Sequence, residues 1–175
     1  MNEELLGESG LDRLLEDWLD ATVERLASLN DPAIFGVRTR GVPLGRRVQE
    51  AFADREDRDL PFGQLDITLY RDDLDRTGTR PIIEGTNYMF DVDDRPLLLV
   101  DDILFTGRTV RAALNEIFDF GRPSRVLLSV LVDRAHRELP ISPDVRGTTI
   151  DVSPDRMVRL RLRNVDDRHG LFVEA

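Results

Sequence analysis

The chain has 175 residues, 41% hydrophobic and 33% charged, which suits a single domain over 1–175 that buries about 70% of its unfolded surface. A formal charge of −10 excludes a broadly basic nucleic-acid surface, and zero cysteines exclude disulfides and thiolate metal sites. No apolar stretch reaches the roughly 18 residues of a membrane span, and MNEELLGESG is acidic without a signal-peptide core, so no membrane association and a cytoplasmic location are expected.

Residues 1–10 read as a flexible N-terminal extension. Leu11, Leu14, Leu15, Trp18, Leu19, Val23 and Leu26 then recur at helical spacing, which predicts an amphipathic helix over about 11–29 with Trp18 as a core anchor. Asn30-Asp31-Pro32 breaks the chain. Ala33 to Val37 is a short apolar strand ending at Arg38-Thr39-Arg40-Gly41, and a second helix runs from about Pro43 to Ala53. Leu65, Ile67 and Leu69 alternate with polar residues, the period of a half-exposed strand. Arg71 to Arg80 is a charged loop without apolar periodicity, of the kind that often serves as a lid. Ile82 to Gly85 reads as a further short strand.

The most informative stretch is RPLLLVDDILFTGRT, Arg95 to Thr109. An apolar run, Leu97 to Val100, ends in two carboxylates, Asp101 and Asp102, followed by Ile103, Leu104 and Phe105 and then Thr106-Gly107-Arg108-Thr109. The pattern predicts a buried strand, a turn rich in hydroxyl and glycine, and a helix N-terminus. Unpaired N–H groups and a partial positive charge suit that terminus to a phosphate. The aspartates one turn upstream could hold sugar hydroxyls or a Mg²⁺ bridged to them, so the loop as a whole fits a sugar phosphate. A receiver-like metal site or a helix cap is the alternative for the acidic pair.

Val110, Ala113, Leu114, Ile117 and Phe118 make one helical stripe that Gly121 and Pro123 terminate. Val126 to Val132 is another apolar strand, ending at Asp133-Arg134. Buried strands separated by helices predict an α/β fold with a mainly parallel sheet, whose ligands sit beyond the strand C-termini. Every motif singled out above lies at such an end. Val158, Leu160 and Leu162 alternate with Arg159, Arg161 and Arg163, an edge-strand pattern with a basic face.

VDDILFTGRT resembles the 5-phosphoribosyl-1-diphosphate (PRPP) signature of type I phosphoribosyltransferases. With LDITLYRDDL at 65–74 and VDRAHRELPI at 132–141 it is most similar to the PyrR family, attenuation regulators of pyrimidine operons with uracil phosphoribosyltransferase activity. The resemblance covers about Leu11 to Leu162. It implies the type I phosphoribosyltransferase fold, with a small hood and a flexible loop, and a reaction of uracil with PRPP to give UMP and pyrophosphate with Mg²⁺. Thr106, Gly107, Arg108 and Thr109 would take the 5′-phosphate. Asp101 and Asp102 would take the ribose hydroxyls, help place Mg²⁺ through substrate and water, and favour a cationic ribose. Thr39 and Arg40 match the pyrophosphate loop, where the family often carries unusual backbone geometry. Arg71 would sit in the hood that closes over PRPP. Asp133 and Arg134 match the pyrimidine-contacting region. His136 is read as structural before it is read as a base. Phe105 stands where purine-using relatives have an acidic residue, which argues against a purine substrate.

The family further implies a homodimer or homotetramer and an RNA-binding surface. Glu16 and Asp20 stand where the family usually has Thr and His, and GTTIDVSPD at 147–155 carries no lysine or arginine. Carboxylates there would repel phosphate, so weakened or lost RNA recognition is expected; Arg122, Arg125, Arg134, Arg137 and Arg146 remain as RNA donors. Two alternatives stay open: a UMP-responsive RNA attenuator with residual catalysis, and a non-catalytic PRPP or nucleotide sensor.

Overall fold

The computed structural model describes residues 3–67 and 86–174. Expectations for Leu69, for Arg71 and the charged loop to Arg80, and for the strand over 82–85 lie outside the described residues. The chain runs β1 (Glu3–Leu6), α1 (Glu8–Ala27), β2 (Ala33–Val37), α2 (Gly41–Glu56), β3 (Phe62–Leu65), β4 (Pro96–Leu104), α3 (Arg108–Phe120), β5 (Arg125–Arg134), β6 (Val145–Ile150), β7 (Met157–Arg161) and β8 (Gly170–Glu174).

Five strands pair in parallel in the order β3-β2-β4-β5-β6. Successive side chains leave opposite faces of a strand, and here both faces are covered. Ile34, Leu98, Val100 and Leu127 pack with Leu11, Leu15 and Trp18 of α1 and with Leu44, Val48 and Phe52 of α2. Phe35, Leu97, Leu99 and Val130 pack with Val110, Ala113 and Ile117 of α3. Burial on both faces is why β4 and β5 read as unbroken apolar runs. A polar contact crosses this interior: the Thr22 and Ser129 hydroxyls lie 2.9 Å apart, joining α1 to β5. Trp18 is 1% exposed, a core anchor as its spacing predicted.

A second, antiparallel sheet, β1-β8-β7, shares the core cluster of α1 through Val158, Leu160, Leu171 and Val173. β1 corrects the expectation of a flexible extension over 1–10. Leu5 and Leu6 pack against the core, Glu3 pairs with Arg156 at 2.9 Å, and Glu3–Leu6 add to the edge of β8. β7 is an edge strand, as expected. Its basic face is neutralised, because Arg159 and Arg161 both bond Glu174.

Two further boundaries differ from those the sequence predicts. β4 does not stop before its carboxylates; its pairing with β5 continues through Asp101↔Val130 to Leu104↔Asp133. The ladder needs only backbone groups, so polar side chains do not end it. β3 closes at Leu65, and Ile67, read as strand, is a buried residue beyond it.

Candidate active site

Because the main sheet is parallel, β2, β4 and β5 deliver their C-terminal ends to one edge, and the chemistry-bearing residues collect there. After Val37 the chain turns through Arg38-Thr39-Arg40, with a cis peptide bond between Arg38 and Thr39. Two glycines make this turn fit. A Cβ on Gly36 would meet the Gly41 carbonyl oxygen at 2.7 Å, and one on Gly41 would meet that of Val100 at 2.4 Å. Without side chains there, the start of α2 lies directly on β4 beside Asp101. Arg40 spans from this turn to the β7–β8 connection: its Nε and Nη2 donate to Asp166 at 3.1 and 2.7 Å.

Asp101 is 5% exposed and Asp102 is half-buried. The Asp102 amide donates to the Asp101 carboxylate and the Ile103 amide to that of Asp102, each at 2.9 Å. Burial pushes the Asp102 carboxyl above the usual carboxylate range, against its hydrogen bonds to Asp101 and the Ile103 amide and against the nearby Arg40 charge. Two crowded carboxylates of this kind suit a cation or a set of hydroxyl donors.

At Gly107 φ is +94°, the left-handed geometry that glycine allows, and this turns the chain into α3. The Thr106 carbonyl accepts from the Glu138 and Leu139 amides at 3.0 and 3.1 Å. The Thr106 hydroxyl accepts from the Arg108 amide at 3.3 Å. The Arg108 guanidinium pairs with Glu138 at 2.7 Å, while Thr109 is exposed at the first turn of α3. The segment is thus a hydroxyl-lined turn running into a helix N-terminus, a geometry suited to an anion.

At the end of β5, Asp133 is 6% exposed and Arg134 is 4% exposed. They play different parts. Asp133 is paired with Arg137 and lies 3.6 Å from Arg146. Arg137 also donates to the Phe105 carbonyl at 2.7 Å and to that of Ile141 at 2.9 Å, and so ties the β4 and β5 loops together. Arg134 stacks 3.9 Å from the Phe105 ring centroid, and its Nη2 reaches the carbonyls of Val152, Ser153 and Arg156 at 3.2–3.3 Å. Its Nε is buried with no hydrogen-bond partner among the described residues. His136 faces Asp151 at 3.3 Å with 41% of its side chain exposed.

A cavity of about 410 Å³ opens at this edge, lined by Arg38, Thr39, Arg40, Asp101, Asp102, Phe105, Thr109, Arg134 and a wall from Pro154 to Leu160. Of the residues expected at a site, Thr39, Arg40, Asp101, Asp102, Thr109 and Arg134 meet there. Thr106, Gly107 and Arg108 form the adjoining turn, and Arg71 lies outside the described residues. Asp133 is not among the lining residues; its carboxylate is occupied by arginines. Sequence reasoning missed Asp166, the keystone Arg137 and the wall. Asp166 sits in a segment without periodicity and offered no signal, whereas Arg137 was read only as a donor to RNA.

Among the described residues no group of three or more His, Cys, Asp or Glu side chains could hold a metal alone. Asp101 and Asp102 nevertheless supply the hard oxygen donors that fit Mg²⁺, which binds through one or two carboxylates together with substrate phosphates.

A family model described as phosphoribosyl transferase domain matches residues 3–158. A protein named "Bifunctional protein PyrR" from Chloroflexus aurantiacus is 51% identical over 143 residues, covering 82% of this chain and 79% of that protein. Its namesake from Alkaliphilus metalliredigens is 41% identical over 171 residues, 98% of this chain and 94% of that protein. Among solved structures, a Trypanosoma cruzi hypoxanthine phosphoribosyltransferase superposes with a TM-score of 0.67 at 16% identity, covering 98% of this chain and 89% of that one. A Staphylococcus aureus hypoxanthine phosphoribosyltransferase does so with 0.61 at 18%, covering 97% and 90%. Likeness at that identity shows the type I fold and does not carry purine specificity across.

Proposed function

The chain belongs to the phosphoribosyltransferase family, in its PyrR branch, and from that premise we propose that it transfers the phosphoribosyl group of PRPP to uracil, giving UMP and pyrophosphate. One observation carries the reading: the Thr39-Arg40 turn, the Asp101-Asp102 pair, the start of α3 and the Arg134–Phe105 stack enclose one cavity.

The α3 N-terminus with Thr106, Gly107, Arg108 and Thr109 takes the 5′-phosphate through backbone N–H groups and hydroxyls. Asp101 and Asp102 accept the ribose 2′- and 3′-hydroxyls, and their charge favours the oxocarbenium-like ribose that forms as the C1′–oxygen bond to pyrophosphate breaks. Thr39 and Arg40 hold the departing pyrophosphate. Asp101 and Asp102, together with substrate and water, would hold Mg²⁺, which would supply positive charge against the pyrophosphate. Uracil N1 attacks C1′ as the bond to pyrophosphate breaks, and the N1 proton leaves with the departing pyrophosphate or to water. Arg134 stacked on Phe105 lines the cavity where the base would lie, while Asp133 supports that loop through Arg137 instead of touching the base.

Turnover of PRPP and uracil to UMP with Mg²⁺, lost in Asp101→Asn and Asp102→Asn and absent with hypoxanthine, is the expected result. PRPP or UMP binding without turnover would instead favour the sensor reading. The whole 175-residue chain acts as one domain, and the cytoplasm is where it works. Among the described residues no helix is long and apolar enough to cross a membrane. The chain assembles as a homodimer or homotetramer; Met89, Phe118 and Phe120, 96%, 56% and 39% exposed, supply apolar surface for that.

RNA regulation is the second activity that the relatives' name "bifunctional" brings into question. The outer face of α1 exposes six carboxylates (Glu8, Asp12, Glu16, Asp17, Asp20 and Glu24) and two arginines, Arg13 and Arg25. We therefore hold that RNA binding is weakened in this chain.

A further inference from the structure

The geometry points to Asp166 as the positioning residue for Arg40: a carboxylate of the β7–β8 connection that fixes the guanidinium so that its remaining donors face the pyrophosphate of the donor. The inference rests on the pyrophosphate-loop reading of Arg40 above.

The contact is two-toothed. Arg40 Nε and Nη2 donate to the two oxygens of Asp166 at 3.1 and 2.7 Å, which fixes the plane of the guanidinium as well as its position. Two of its five N–H donors are used in this way. The Nη1 end makes no hydrogen bond among the described residues, and Arg40 lines the cavity beside Asp101 and Asp102. A planar donor held along one edge and open at the other is ready for a phosphate oxygen before the substrate arrives.

Asp166 is itself fixed, which a clamp requires. The Leu162 amide donates to Oδ2 at 2.9 Å, and the Val165 and Asp166 amides return to the Leu162 carbonyl at 2.8 and 2.7 Å. Arg161 adds a contact at 3.2 Å and reaches Glu174 at 3.1 Å, which Arg159 also holds at 2.8 Å. The chain Arg159–Glu174–Arg161–Asp166–Arg40 thus runs from the β7–β8 sheet into the cavity. Asp166 is 10% exposed and Arg40 21% by side chain. Burial works to raise the Asp166 carboxyl, but the bonds from Arg40, the Leu162 amide and Arg161 outweigh it and hold the group at about 2. The clamp is therefore ionised throughout the working pH range.

A carboxylate so near an anionic substrate repels it. A residue that served binding strength alone would not be placed there. Orientation is what it can contribute, and misplacement of a catalytic cation costs roughly 100-fold in rate.

The test uses Asp166→Asn, which keeps an oxygen for the Leu162 amide but loses the charge and the second acceptor for Arg40. The expected result is a roughly 10- to 100-fold fall in kcat/KM for PRPP. The KM for uracil should stay near that of the wild type. Magnesium pyrophosphate should bind correspondingly more weakly by calorimetry. Asp166→Glu, which keeps the charge, should recover part of the loss, and it serves in place of Asn if that variant folds poorly. The double variant Arg40→Lys/Asp166→Asn should be no worse than the poorer single. Wild-type PRPP and pyrophosphate parameters in Asp166→Asn, or losses that simply add in the double variant, would overturn the assignment. A wild type that binds pyrophosphate without turnover would instead count against the transferase reading, leaving the clamp to be judged on binding.

Discussion

The Arg134 guanidinium lies 3.9 Å from the centroid of the Phe105 ring, so the last residue of β5 covers a side chain one position beyond β4. The ring thereby lines the cavity together with the acidic pair and the Pro154–Leu160 segment. Burial lowers the guanidinium pKa from its usual value, yet three carbonyl contacts and the ring face keep a cation favourable there.

Phe105→Ala removes that ring and frees Arg134. A stack of this kind is worth about 0.5–2 kcal/mol, so the KM for uracil should rise about 3- to 30-fold. The KM for PRPP should change little, because the phosphate turn and the acidic pair are separate groups. Steady-state kinetics with each substrate varied in turn check this. A rise confined to PRPP would mean that the stack supports the phosphate turn instead of the base.

Gly41→Ala tests the close approach of α2 to β4. Its Cβ would sit 2.4 Å from the Val100 carbonyl oxygen and 3.2 Å from Asp101 Cα, both backbone atoms that cannot swing aside. Overpacking of this severity costs about 1–3 kcal/mol or more, a fall of roughly 2–12 °C in melting temperature for a chain of this size. Activity should fall further than stability, since the shift displaces Arg40 relative to Asp101. Calorimetry at saturating and zero PRPP separates the two; an unchanged melting temperature would show that the contact relaxes freely.

How legible the molecule was in its sequence depends on how local each signal is. β2, β4, α3 and β5 announced themselves because burial on both faces leaves apolar runs and a clear helical stripe. The phosphate turn was legible because hydroxyls, glycine and the helix start are adjacent in the chain. Asp166 was not, since its partner Arg40 lies 126 residues away and nothing in NVDDRHG marks it. β1 looked like a tail because its two leucines acquire meaning only beside β8, and β6 carries no apolar alternation at all. The carboxylate of Asp133 matched a motif, but its chemistry is decided by Arg137 and Arg146 in space.

Glu116 gives a pH dependence with a definite sign. It is 6% exposed on α3; the Thr86 hydroxyl donates to one oxygen, and the other is buried without a partner among the described residues. Burial, then the charges of Asp66 and Asp119, push its carboxyl from 4.5 to about 7. Between those values the folded state holds a proton that the unfolded state has lost, so stability falls as pH rises through that window and levels off above it. The full shift would be about 3 kcal/mol, and solvent screening reduces it to about 1–2 kcal/mol. Glu116→Gln keeps the acceptor for Thr86 and removes the charge. It should be more stable than wild type at pH 8 by that amount and nearly equal to it at pH 4.5. Urea titrations at the two pH values measure it, and an equal difference at both would show that the carboxyl does not titrate in that range.

The acidic outer face of α1 turns weakened RNA binding into a measurable quantity. Asp20 is paired with Arg55, but at 65% and 45% side-chain exposure the pair is solvent-screened and its loss should cost little stability. Glu16 and Asp17 are exposed beside it. Binding to an RNA hairpin loop should therefore be no tighter than the non-specific range, about 10⁻⁴–10⁻⁶ M at physiological salt, with or without UMP. Glu16→Lys and Asp20→Lys together should raise affinity and steepen the salt dependence, by about 0.7 in the log–log slope for each additional single-strand phosphate that a lysine neutralises. Filter binding over a salt series reads both quantities. Tight, loop-specific binding by the unmodified chain, stimulated by UMP, would show that the RNA surface lies elsewhere and that the carboxylates of α1 do not face it.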